Sequence, residues 1–184
     1  MNYIGTFQNI YNTSTYYNLG LQGSGVKTFQ ALTTTINGNL TLSGAATTTT
    51  VTGLSIAGNL TIGNGTTFTS GGFNLAVAGL TQVGGGTSGI LSFNSAVGTK
   101  QFTGLVTIAP GASWTNNAGN SPINFRGGIT NNGTFNGGSG VYTFDTNNQV
   151  INGVLDIPNT TISGVTVTNT NGLTVSTALS GTVD

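Results

Sequence analysis

Leu40-Thr41-Leu42 and Leu60-Thr61-Ile62 are two copies of one phrase, an apolar–polar–apolar triplet led in by glycine or a small polar residue. It returns as Leu80-Thr81-Gln82 (closed by Val83), Val106-Thr107-Ile108, Ile129-Thr130-Asn131, Leu155-Asp156-Ile157 and Leu173-Thr174-Val175. Recurrence every roughly 20–25 residues marks an architecture in which each unit buries its apolar face only against its neighbours. Side chains alternate across a strand, so the residues flanking each triplet centre point inward. Leu40, Leu60, Leu80, Val106, Ile129, Leu155 and Leu173 are then expected to stack as one core column. Phe68, Phe93, Trp114, Phe125, Phe135 and Phe144 are expected at corners or along a second wall.

Helix is disfavoured throughout, because Gly, Thr, Asn and Val are poor helix formers and no segment keeps a helical period. Asn-Gly at 37–38, 64–65, 132–133, 152–153 and 171–172, and Gly-Gly at 71–72, 127–128 and 137–138, break the chain into short strands. Two arrangements use these breaks. A β-sandwich or jelly roll pairs consecutive strands antiparallel across hairpins. A solenoid turns the glycines into corners and stacks equivalent triplets in parallel. The repeats favour the solenoid: Gly89 to Ser95 matches Gly140 to Thr146, and Gly65 to Thr69 matches Gly111 to Thr115 and Gly133 to Asn136. The reading is an all-β, single parallel β-solenoid (β-helix) of about seven coils spanning 31–184. Residues 1–30 are set apart as an aromatic cap or inter-subunit connector.

Composition narrows the chemistry. Only 3% of residues are charged, with no His and no Cys, and the three acids are Asp145, Asp156 and Asp184. Phosphate binding needs clustered Lys and Arg, and Lys27, Lys100 and Arg126 are isolated, so no nucleic-acid partner is expected. No catalytic, cofactor-binding or metal-binding residues are assigned. Asp145 and Asp156 have no Glu or His beside them to act as acid or base, and repeat-type calcium sites need an Asp in every coil. No apolar run approaches the roughly 20 residues of a membrane span. The first twenty residues carry neither a basic residue nor a continuous apolar core, so no signal peptide is expected there. Hydrophobic residues make up 36% of the chain and recur periodically, which argues against disorder. Zero net charge favours self-association.

From about Gly111 to Val183 the chain resembles the Asn/Thr/Gly-rich repeats of large secreted bacterial surface proteins and adhesins. The resemblance rests on Gly128-Ile129-Thr130-Asn131-Asn132-Gly133-Thr134-Phe135, Gly140-Val141-Tyr142-Thr143-Phe144, Ile157-Pro158-Asn159 and Asn171-Gly172-Leu173-Thr174-Val175. It implies an extracellular or cell-surface β-solenoid serving as stalk or scaffold, with no enzymatic role. Phage and viral fibre segments use similar wording.

Two surfaces are singled out. Solenoid ends expose unpaired strand edges, and four of the five tyrosines lie in the first segment. Tyr3, Phe7, Tyr11, Tyr16 and Tyr17 are therefore expected to form an assembly interface with another copy, giving a head-to-tail filament, or else to cap the first coil. The triplet centres Thr41, Thr61, Thr81, Thr107, Thr130 and Thr174 are expected as an outward ladder. That ladder opens an alternative, a binding module for ice, glycan or a host surface.

Overall fold

The computed structural model describes residues 1–181, and over them the chain is a three-faced parallel β-solenoid of nine coils. Each coil contributes one strand to each face. Coil 1 is Asn2–Tyr3, Gln8–Asn9 and Thr15–Tyr16; coil 5 is Thr81–Val83, Ile90–Phe93 and Lys100–Phe102; coil 9 is Val167–Asn169, Leu173–Thr174 and Ala178–Gly181. Faces 1 and 3 are unbroken nine-stranded sheets. Face 2 is a seven-stranded sheet ending at Thr134–Asn136 in coil 7, followed by a separate two-stranded sheet of Leu155–Asp156 and Leu173–Thr174. At about 4.8 Å per coil the nine coils span roughly 43 Å. Asp184 lies outside the described residues.

The coil count exceeds the expected seven by the two coils at the start of the chain, and the triplet register differs as well. Residues 1–30 are themselves built into coils 1 and 2, with Asn2–Tyr3 pairing Gly20–Leu21 in the same parallel register as every later rung. The triplets at 155 and 173 belong to face 2 and not to face 1. The face 1 core column is Leu19, Leu40, Leu60, Thr81, Val106, Ile129 and Ile151.

Leu80 is the second register correction: it is 56% exposed and Thr81 takes the core position. A glycine column sets this register. Gly38, Gly58 and Gly79 stack at the corner leading into face 1, so close that a Cβ on Gly58 would lie 2.6 Å from the Gly38 carbonyl oxygen. No side chain fits such an approach, so the residue after each glycine sits at the corner and the next one enters the core. In coils 3 and 4 the corner residues are Asn39 and Asn59, whose Oδ1 atoms accept from the backbone N–H of Asn59 and Leu80 (2.8 Å each). Leu80 occupies the corresponding corner, which displaces the apolar residue outward and leaves Thr81 buried, its Oγ1 without a partner among the described residues.

The aromatics are wall residues, not corner fillers. Phe68, Phe93, Trp114 and Phe135 lie on face 2, and Phe102, Phe125 and Phe144 on face 3. All but Phe68, which lies in coil 4, meet across the prism in coils 5 to 7, with ring centroids 4.7–6.4 Å apart. The matched phrases at 89–95 and 140–146 fall on different faces: Ile90–Phe93 is on face 2 and Val141–Asp145 on face 3. Their likeness reflects the shared demand of any wall strand for alternating apolar residues. The other matched set, Phe68, Trp114 and Phe135, does share one inward column of face 2, with Leu91 between the first two.

Candidate functional surfaces

Lys27 and Lys100 occupy inward positions and are fully buried, Lys100 aligned with the core residue Leu75 of the neighbouring coil and Lys27 with the half-buried Gln8. Both aliphatic stems lie in the core while the ammonium turns to a corner and donates to three backbone carbonyls. Lys100 Nζ reaches Phe73 O (2.7 Å), Gly98 O (2.7 Å) and Val97 O (3.0 Å). Lys27 Nζ reaches Thr6 O and Ser24 O (2.9 Å each) and also Gly5 O. Burial pushes both ammonium groups below the usual lysine range, Lys100 to about 8. The remaining cation, Arg126, pairs with Asp145 (Nε–Oδ1 2.7 Å). Burial raises the Asp145 carboxyl, but hydrogen bonds from Arg126 and Thr146 outweigh it and hold the group below its ordinary value. Charge is therefore largely withdrawn from the outer walls, and Asp156 is the one charged side chain among the described residues with neither a salt bridge nor a protein hydrogen bond.

The two carboxylates lie apart, Asp145 on face 3 of coil 7 and Asp156 on face 2 of coil 8. No group of three metal-ligating side chains occurs among the described residues, and none of their helices is long and apolar enough to cross a membrane.

The five aromatic residues of the first coil divide into two sets. Tyr3 and Tyr16 are buried with Ile10 and plug the coil from inside. Their hydroxyls lie 3.1 Å apart; Tyr16 donates to Tyr11 O (2.7 Å), and Tyr3 accepts from Tyr11 N (2.6 Å). Burial, reinforced by Tyr3, pushes the Tyr16 phenol above its usual range. These two side chains are thus core residues of the end coil, unlike the other three residues of the expected interface. Phe7, Tyr11 and Tyr17 are 69–76% exposed, alongside Met1 and Ile4. Lys27 holds the Gly5-Thr6 corner that displays Ile4 and Phe7.

The outward ladder is also reshaped. Thr41, Thr61, Thr107 and Thr130 do form a face 1 column, but Gln82 stands in it and Thr81 is inward. Thr174 belongs to face 2, beside Asp156. The richer array is on face 2. Thr47, Thr67, Ile90, Ser113 and Thr134 form one outward column, and Thr49, Thr69, Ser92, Thr115 and Asn136 a second. The sequence signal for it is Thr-x-Thr, as at Thr47–Thr49 and Thr67–Thr69.

No protein-family profile, curated protein or solved structure matches this chain.

Proposed function

We propose that this chain is a non-enzymatic structural protein exposed outside the cell, a filament subunit or adhesin stalk segment whose coils stack head to tail. The observation supporting this reading is that coil 1 and coil 9 present outer strand edges on the same three faces with the same polarity. Stacking coil 1 of one copy on coil 9 of another extends all three parallel ladders, and a contact that does not close on itself generates a filament. Phe7, Tyr11 and Tyr17 are positioned at one end, and Val167, Leu173 and Leu179 are only partly covered at the other. With the charged groups few and mostly paired or buried, little electrostatic repulsion opposes the contact.

Sedimentation at rising concentration, run beside negative-stain microscopy, tests this. Filaments with an axial repeat of about 43 Å are the expected result, with assembly lost in the double variant Phe7→Asp, Tyr11→Asp. Both positions are exposed, so the fold survives. A protein that stays monomeric at every concentration overturns the reading.

A second reading, binding of ordered water at an ice surface, is favoured by the paired hydroxyl columns of face 2, which lie in register and carry no charge. Ice-recrystallisation inhibition that disappears in Thr67→Tyr is the outcome it predicts, and wild-type protein without such inhibition would remove it.

A further inference from the structure

Face 2 is interrupted between coil 7 and coil 8, and the interruption opens a groove. Coil 8 turns from face 1 to face 2 through Val154 alone, because its face 1 strand runs to Gly153 and its face 2 strand begins at Leu155. Asn131 spans the mismatch: its Nδ2 donates to Val154 O (2.7 Å) and its Oδ1 accepts from Gly133 N (3.1 Å). Thr134–Asn136 and Leu155–Asp156 then face each other as unpaired strand edges. The groove measures about 490 Å³ and is lined by Asn132, Thr134, Phe135, Val154 and Asp156 together with Asn131 and Gly133.

Its lining is chemically mixed. Phe135 is half-buried and its ring stacks on Trp114 of coil 6, centroids 5.8 Å apart and planes 16° from parallel. Trp114 and Tyr142 (centroids 5.8 Å apart, planes at 54°) pack against the ring, and Val154 and Asp156 of coil 8 form the facing wall of the groove. Val154 is 75% exposed. The Asp156 carboxylate, the Asn132 amide and the Thr134 hydroxyl have no hydrogen-bonding partner among the described residues.

From this combination we infer that the groove is a binding site for a neutral, hydroxyl-rich saccharide unit. Fixed apolar surface with a few convergent polar groups is the usual make-up of small-ligand sites. Phe135 and Val154 offer the apolar surface that a sugar ring's C–H face covers. Asp156 accepts hydrogen bonds from adjacent hydroxyls, and a charged acceptor makes these stronger than neutral ones. Asn132 both donates and accepts. An anionic ligand is disfavoured because the groove has a carboxylate and no cation. The site binds and does not cleave, since the second carboxylate that glycoside hydrolysis needs is on another face.

The inference is independent of head-to-tail assembly, so it is tested in both the wild type and the Phe7→Asp, Tyr11→Asp background. The full chain is titrated with cellohexaose, mannohexaose and chitohexaose to millimolar concentration, following the emission of Trp114, the chain's single tryptophan. Saturation by at least one of the three is expected. Affinity should fall about tenfold in Asp156→Asn and vanish in Val154→Arg, which fills the groove from an exposed position. Equal binding in the assembly-defective background would separate this site from the ends. Failure of all three sugars to saturate overturns the inference, as does saturation that neither substitution changes. Saturation by a tetra-arginine peptide but by no sugar also overturns it, making the groove an ionic site.

Discussion

Replacing Trp114 with alanine is expected to cost about 3–5 kcal/mol of stability, the usual penalty for deleting a large buried aromatic. The indole touches four rings: Phe93 at 4.7 Å, Phe102 at 5.4 Å, Phe125 at 5.6 Å and Phe135 at 5.8 Å between centroids. These rings line the walls of three coils, so they cannot collapse into the vacancy without breaking the strand ladders. Trp114 Nε1 also donates to Tyr142 OH (3.3 Å), which accepts from Asn116 Nδ2 (3.1 Å) and donates to Gly137 O (2.8 Å). Stability in a stacked array is close to a sum of nearest-neighbour terms, so the damage should be local. Urea denaturation followed by circular dichroism gives the loss, and amide exchange should quicken in coils 5 to 8 while coils 1 to 3 stay protected. A loss under about 1 kcal/mol, or acceleration spread evenly over nine coils, would contradict this account.

Lys100→Met is expected to cost about 3 kcal/mol, although methionine keeps the aliphatic packing. The substitution strips the donor from three carbonyls at one corner. Wild-type protein should also show a characteristic alkaline profile. Burial pushes Lys100 down to about 8 from 10.5. Between those values the unfolded chain holds a proton that the folded one has released, so stability rises with pH across that window and levels off below about 8. Lys27, also lowered by burial, acts in the same sense. The buried phenols act oppositely. Burial pushes Tyr142 up to about 12, against hydrogen bonds from Trp114 and Asn116, and it also raises Tyr16. Above pH 10 the unfolded tyrosines ionise first and stability falls. Urea midpoints should therefore climb from pH 8 to 10 and then drop, with the climb reduced in Lys100→Met. A flat wild-type profile over that first interval would exclude the lysine contribution.

Particular residues show what could be read before any fold was seen. The alternation in Leu40-Thr41-Leu42 and Leu60-Thr61-Ile62 gave both inward and outward assignments correctly, since side-chain direction in a strand follows from position alone. At Leu80-Thr81-Gln82 the same rule gave the wrong face, because aligning on leucine ignored the glycine that fixes the corner. Lys27 and Lys100 read only as isolated cations. Only the coil-to-coil stacking shows that each has three carbonyls within reach. Tyr3 and Tyr17 belong to the same aromatic segment in the sequence, yet one is core and the other is exposed. The groove left no recognisable trace, since it arises where Val154 shortens one corner and Asn131 bridges what remains.

The sequence by itself determined an all-β chain, its parallel solenoid class and its poverty in charge, because period, turn residues and composition are local properties. Tertiary structure decided the nine coils, the faces on which the triplets lie, the burial of the lysines and the break in face 2. Those depend on pairing between residues some twenty positions apart, and corners of unequal length shift that pairing from one coil to the next.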